Sequence, residues 1–97
     1  MVDPALQPLK LPEAKQLARE IMENGNVSFS GHAIDEMAND DLHTTDCLNL
    51  LQAGVFNPPE FTNREWRYRV TTSRICIVVV FCSRTELRVV TAWRIKT

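Results

Sequence analysis

Residues 75–82, Ile-Cys-Ile-Val-Val-Val-Phe-Cys, are the longest apolar run in the chain, bounded by Thr72-Ser73-Arg74 and Ser83-Arg84-Thr85-Glu86. A run this short and this rich in β-branched residues suits a strand better than a helix. Its lack of polar alternation means that both faces of the strand are covered. Residues 66–72 and 87–96 instead alternate apolar and polar positions, as strands with one solvated face do. The short connections suit hairpins, so the C-terminal third reads as a three-strand meander with 75–82 in the middle.

Upstream the period changes. Pro12 and Glu13 suit a first helical turn, and Ala14, Leu17, Ala18, Ile21 and Met22 form one apolar stripe that stops at Asn24-Gly25. Val27-Ser28-Phe29 is a brief edge strand or an extended link. Ser30 is a good N-cap for a second helix carrying Ala33, Ile34, Met37 and Ala38. Thr44 or Thr45 caps a third, with Cys47, Leu48, Leu50 and Leu51 on its apolar face and Gly54 as its stop. Val55-Phe56 starts a strand that Pro58-Pro59 ends or confines to an edge, and Asn57 and Thr62-Asn63 supply turn chemistry. Residues 1–11, with Pro4 and Pro8, read as an extended or frayed arm. The expected architecture is one α+β domain over 1–97, with N-terminal helices packed on one face of a small antiparallel sheet.

Composition narrows the function classes. The chain has 97 residues, 44% of them hydrophobic, enough for one modest core. The three cysteines include no CxxC pair and no His–Cys spacing that suits zinc, and no metal or cofactor is expected. Cys76 and Cys82 are roughly 20 Å apart along one strand and cannot bond each other, so the thiols read as reduced. There is no basic-then-apolar leader and no run of membrane-spanning length, which predicts a cytoplasmic protein without a membrane partner.

Charge is divided unevenly. Residues 1–60 hold ten acids against three bases, whereas residues 61–97 hold eight bases against Glu65 and Glu86. Seven of those eight are arginine, the side chain suited to bidentate phosphate contact. Strict alternation places Trp66, Tyr68 and Val70 on one face, with Leu87, Val89, Thr91, Trp93 and Ile95. Arg67, Arg69, Arg88, Arg94 and Lys96 then emerge together on the other. Such a face suits a phosphate backbone, and it is equally the ordinary solvated side of a sheet.

The motif order adds a resemblance. Phe29-Ser-Gly-His-Ala-Ile-Asp-Glu-Met37, then Thr45-Asp46, Leu51-Gln-Ala-Gly54 and Val89-Val-Thr-Ala-Trp93 resemble the 4258 family of domains of unknown function. Through it, over about residues 27–94, the chain resembles RelE/ParE-like toxins of bacterial toxin–antitoxin systems, near the MqsR and BrnT relatives. The resemblance implies a RelE-like fold, messenger-RNA cleavage on or off the ribosome, and a cognate antitoxin that wraps the basic face. Glu36 and Asn39-Asp40-Asp41 stand where that family commonly carries arginine, so the helices here carry less positive charge.

Metal-independent RNA cleavage needs the 2′-hydroxyl deprotonated, the leaving 5′-oxygen protonated and the phosphorane stabilised. His32 is the candidate for proton transfer, unless it serves only as a hydrogen-bonded structural residue; His43 reads as exposed and idle. Arg67, Arg69 and Arg94 are the candidates for phosphorane stabilisation, with Arg88, Lys96, Tyr68 and Arg84 as RNA contacts. Tyr68 either stacks on a base or lies in the core, and Trp93 reads as core. Glu65 and Glu86 are ion-pair partners or a general base. The second function class is a non-catalytic toxin or binding module acting on a protein target such as gyrase.

Overall fold

In a computed structural model of the chain, residues 3–96 are described. Among them are three helices, α1 (Leu11–Asn24), α2 (Gly31–Asn39) and α3 (Thr44–Ala53), and six strands. The strands are β1 (Asn26–Phe29), β2 (Val55–Phe56), β3 (Glu60–Thr62), β4 (Glu65–Thr71), β5 (Ile75–Phe81) and β6 (Glu86–Arg94). The sheet order is β1-β6-β5-β4-β2, with β3 also paired to β4. The fold is therefore α+β, and β5 lies in the middle of the sheet. No helix among the described residues is long and apolar enough to cross a membrane.

The expected purely antiparallel sheet is corrected to a mixed one. The meander is antiparallel, but β1 runs parallel to β6 with Val27 opposite Leu87 and Phe29 opposite Val89. The return path from β1 through α2 and α3 makes this possible, since parallel neighbours need a long crossover. On the far side β2 and β3 share the edge of β4, and Pro58-Pro59 fills the gap between them, where a missing N–H breaks no ladder.

One core lies between the helices and the sheet. Ala14, Leu17, Ala18 and Ile21 from α1 meet Tyr68, Val70, Ile77, Val79, Phe81, Leu87, Val89 and Ala92. Both faces of β5 are covered, as its composition predicts. Val78 and Val80 form a second small cluster on the helix-free face with Val90 and Trp93. The N-terminal arm is docked rather than frayed from Asp3 onward; Met1 and Val2 lie outside the described residues. Pro4 and Leu9 are buried, and the Leu9 N–H donates to the Tyr68 hydroxyl at 2.6 Å.

Close approach explains Gly25 better than helix termination does. A Cβ there would lie 2.3 Å from the Thr85 carbonyl oxygen, where α1 meets the β5–β6 turn. Ser30 caps α2 as expected, accepting from the Ala33 N–H. The cap of α3 is His43, not Thr44 or Thr45; Asp46 reaches back to accept from the His43 N–H at 2.8 Å.

All three cysteines are free. Burial, and secondarily the charge of Asp46, pushes the Cys47 thiol up to about 11 from an ordinary 9.0. Burial likewise raises Tyr68 and Cys76. Below pH 9 the Cys47 thiol keeps its proton whether folded or unfolded. Between about 9 and 11 only the unfolded thiol releases it, so stability falls as pH rises through that window. The urea midpoint should hold up to about pH 9 and then decline, with a shallower decline in Cys47→Ala. A midpoint that climbs above pH 9 would contradict the burial of these groups.

Candidate functional site

The helix-free face is built by the alternation of β4 and by a fault in β6. Glu65, Arg67, Arg69 and Thr71 point away from the core, as period two requires. Across the β5–β6 pair Val78 faces Thr91 but Val79 faces Val89, so Val90 of β6 is an extra residue. This β-bulge reverses the alternation beyond it. Leu87, Val89 and Ala92 face the helices, whereas Thr91 and Trp93 face the open side. Trp93, expected in the main core, instead carries the Arg69 guanidinium 5.8 Å from its ring centre.

The same reversal moves Arg94 off the open face, which corrects its place among the phosphate-binding arginines. Helix α2 ends in a Schellman motif: Asp41 has φ 53°, the Leu42 N–H donates to the Met37 carbonyl, and the Asp41 N–H donates to that of Ala38. Arg94 completes this end by donating Nε to the Asp40 carbonyl at 2.8 Å and a terminal N–H to that of Asp41 at 2.9 Å. Arg94→Ala should therefore cost about 1 kcal/mol of stability, a fall of roughly 4–8 °C in melting temperature. An unchanged melting temperature would show that these bonds hold nothing in place.

Tyr68 is also corrected as an RNA contact. Its side chain is 0% exposed, edge-on to Phe81, and its hydroxyl is taken by Leu9. Arg84 is exposed in the turn between β5 and β6, and Lys96 is exposed beyond the end of β6. His43 stands at the α3 N-terminus with its Nε2 3.9 Å from Asp41 Oδ1.

A shallow depression of about 720 Å³ gathers the remaining candidates, within the 300–1,000 Å³ typical of ligand sites. Its lining includes His32, Asn63, Glu65, Arg67, Arg88 and Thr91. A second depression, sharing Arg67 and Thr91, continues past Arg69 to Trp93. Glu65 is the hub. It accepts from Arg88 at 2.7 Å and from Arg67 at 3.3 Å, and its side chain is only 27% exposed. Arg67 Nε is the sole buried side-chain nitrogen or oxygen among the described residues without a hydrogen-bond partner. An unspent buried donor at a concave surface is a group that a ligand oxygen would satisfy.

His32 lies on the first turn of α2 at the rim. Its Nε2 is 3.0 Å from Glu36 Oε1, one helical turn on, and the same Glu36 oxygen accepts from the Thr91 hydroxyl. A carboxylate bound to a histidine fixes the ring's orientation. So Glu36 is the residue that holds His32. Glu36 and Thr91 were not among the sequence candidates. The i,i+4 spacing of His32 and Glu36 is a signal for that pair, but the bulge hides Thr91. The face is less cationic than charge counting implies, because Glu65 and Glu36 sit among its three arginines. No group of three His, Cys, Asp or Glu among the described residues is placed to hold a metal ion.

The chain belongs to the family described as a domain of unknown function (DUF4258), whose family model matches residues 29–94. That stretch omits α1 and includes every residue of the depression. No curated protein and no solved structure matches the chain.

Proposed function

We propose that this member of the DUF4258 family is a RelE/ParE-like toxin that cleaves messenger RNA without a metal ion, held in check by a cognate antitoxin. The observation that carries the reading is the cluster itself. A carboxylate is clamped between two guanidiniums, beside a histidine oriented by a second carboxylate, in one solvent-open depression. Transesterification of RNA asks for two proton-transfer groups and a cationic cradle. In this reading Glu65 takes the proton of the attacking 2′-hydroxyl. Arg67 and Arg88 stabilise the dianionic phosphorane, and His32 delivers a proton to the departing 5′-oxygen. Arg69, seated on Trp93 in the adjoining depression, holds the neighbouring stretch of the strand.

Attack by the 2′-oxygen forms its bond to phosphorus as the 5′-oxygen leaves. The products are therefore a 2′,3′-cyclic phosphate and a 5′-hydroxyl. Purified protein should generate those ends from single-stranded RNA and leave 2′-O-methyl RNA intact. Expression without the partner should arrest growth. The antitoxin is expected to cover the arginine-bearing face with an acidic segment, since complementary potentials speed encounter and set register. If free and ribosome-bound RNA both survive the purified protein, the nuclease reading falls and a protein target replaces it.

A further inference from the structure

We propose that Arg64, at the tip of the β3–β4 hairpin, is a positioning residue that grips a backbone phosphate of the RNA strand beyond the depression. The inference rests on the RNA-cleaving reading above and adds a contact that reading does not use. Thr62 pairs with Glu65, so the loop is only Asn63-Arg64, and both residues have positive φ, 53° and 64°. This is the I′ pattern of tight hairpins, which favours Asn first and Gly second. Asn63 obeys the preference. Arg64 does not: a side chain occupies a backbone conformation that glycine adopts freely. An outlier of this kind is a reason to ask what the side chain does.

Nothing among the described residues answers. Arg64 is exposed and makes no hydrogen bond or ion pair among the described residues. Arg67, Arg88 and Arg94, by contrast, are each tied to an oxygen. The hairpin that presents Arg64 is braced: Phe61 and Trp66 are cross-strand partners with ring centres 5.0 Å apart, and Trp66 packs on the main core. Asn63, its neighbour in the loop, lines the depression that holds Glu65, Arg67, Arg88 and His32. A firmly mounted, unpaired guanidinium at the lip of that site fits a phosphate one or more nucleotides from the one being cleaved.

The test compares wild type with Arg64→Gly and Arg64→Lys, using an uncleavable 2′-O-methyl single-stranded oligonucleotide titrated across a range of salt concentrations. Arg64→Gly should keep or raise the melting temperature, because glycine relieves the loop, while it weakens binding. The slope of log affinity against log salt should become shallower by about 0.7, the value of one phosphate contact to a single strand. Arg64→Lys should retain the wild-type slope. A purely structural role for Arg64 would move the melting temperature and leave the slope alone. If wild type binds and cleaves RNA but Arg64→Gly keeps the same slope and affinity, the assignment of Arg64 is overturned and the nuclease reading survives. If wild type does not bind the oligonucleotide, the assignment of Arg64 falls, and the nuclease reading falls with it only if free and ribosome-bound RNA both survive.

Discussion

Arg88→Ala should lower the rate of RNA cleavage by about 10²–10³, equivalent to about 2.7–4 kcal/mol of transition-state stabilisation. The Arg88 guanidinium stands 2.7 Å from Glu65, and both line the depression. Under the proposed nuclease reading its removal takes positive charge from the phosphorane, and it leaves Glu65 held by Arg67 alone. Glu65→Gln should lose about 10²–10⁴, the usual worth of a positioned proton-transfer group. Neither change should unfold the protein. Partly exposed ion pairs contribute only about 0–1 kcal/mol, because water screens them and both side chains lose freedom in forming them. The measurement pairs a melting temperature with a single-turnover cleavage rate for each variant. Arg94→Ala provides the contrast, since it should melt earlier and cleave at the wild-type rate. If Arg94→Ala loses cleavage while Arg88→Ala keeps it, the site is not the open face but the end of α2.

Val79→Asp should unfold the domain. Val79 is 0% exposed, flanked in the sheet by Tyr68 and Val89 on the helix-covered face. A carboxylate there has no cation in reach among the core residues, and burying it costs several kcal/mol. A domain of this size has about 5–15 kcal/mol in all. Val78→Asp, one residue earlier, should be far milder. Val78 faces the other way, in the depression that also holds Arg67 and Arg69, so its carboxylate would find both water and a cation. Far-ultraviolet circular dichroism and urea melts would distinguish the two. Equal damage from both substitutions would mean that the faces of β5 are wrongly assigned.

The legible part of the fold is the part governed by neighbours in sequence. The stripe Ala14, Leu17, Ala18 and Ile21 predicts α1 because four apolar residues at helical spacing have one buried side to occupy. The run in β5 predicts a strand covered on both faces, and the run is so covered. Within the site, Glu65, Arg67 and Arg69 on one face of β4 follow from period two alone. Tyr68 was ambiguous for a physical reason: its ring belongs in a core and its hydroxyl needs a partner, and only the docked Leu9 N–H supplies one.

The chain's own pattern thus determined three helices, a β-meander around residues 75–82, and arginines concentrated on the strands. Tertiary structure decided which of those arginines lie together. Strand β1 is four residues long, and its parallel partner lies about sixty residues away, so no local period announces it. The bulge at Val90 is a mismatch between two strands, two residues against one, and a single strand's alternation carries no trace of it. That one extra residue turns Thr91 and Trp93 toward the open face and Arg94 toward α2. It brings Thr91 to Glu36, and through Glu36 to His32, beside a cluster that β4 had already placed. Local periodicity sets which residues share a face of one element. Which faces meet is set by pairing across the sheet, where the free energy depends on partners far apart in the chain.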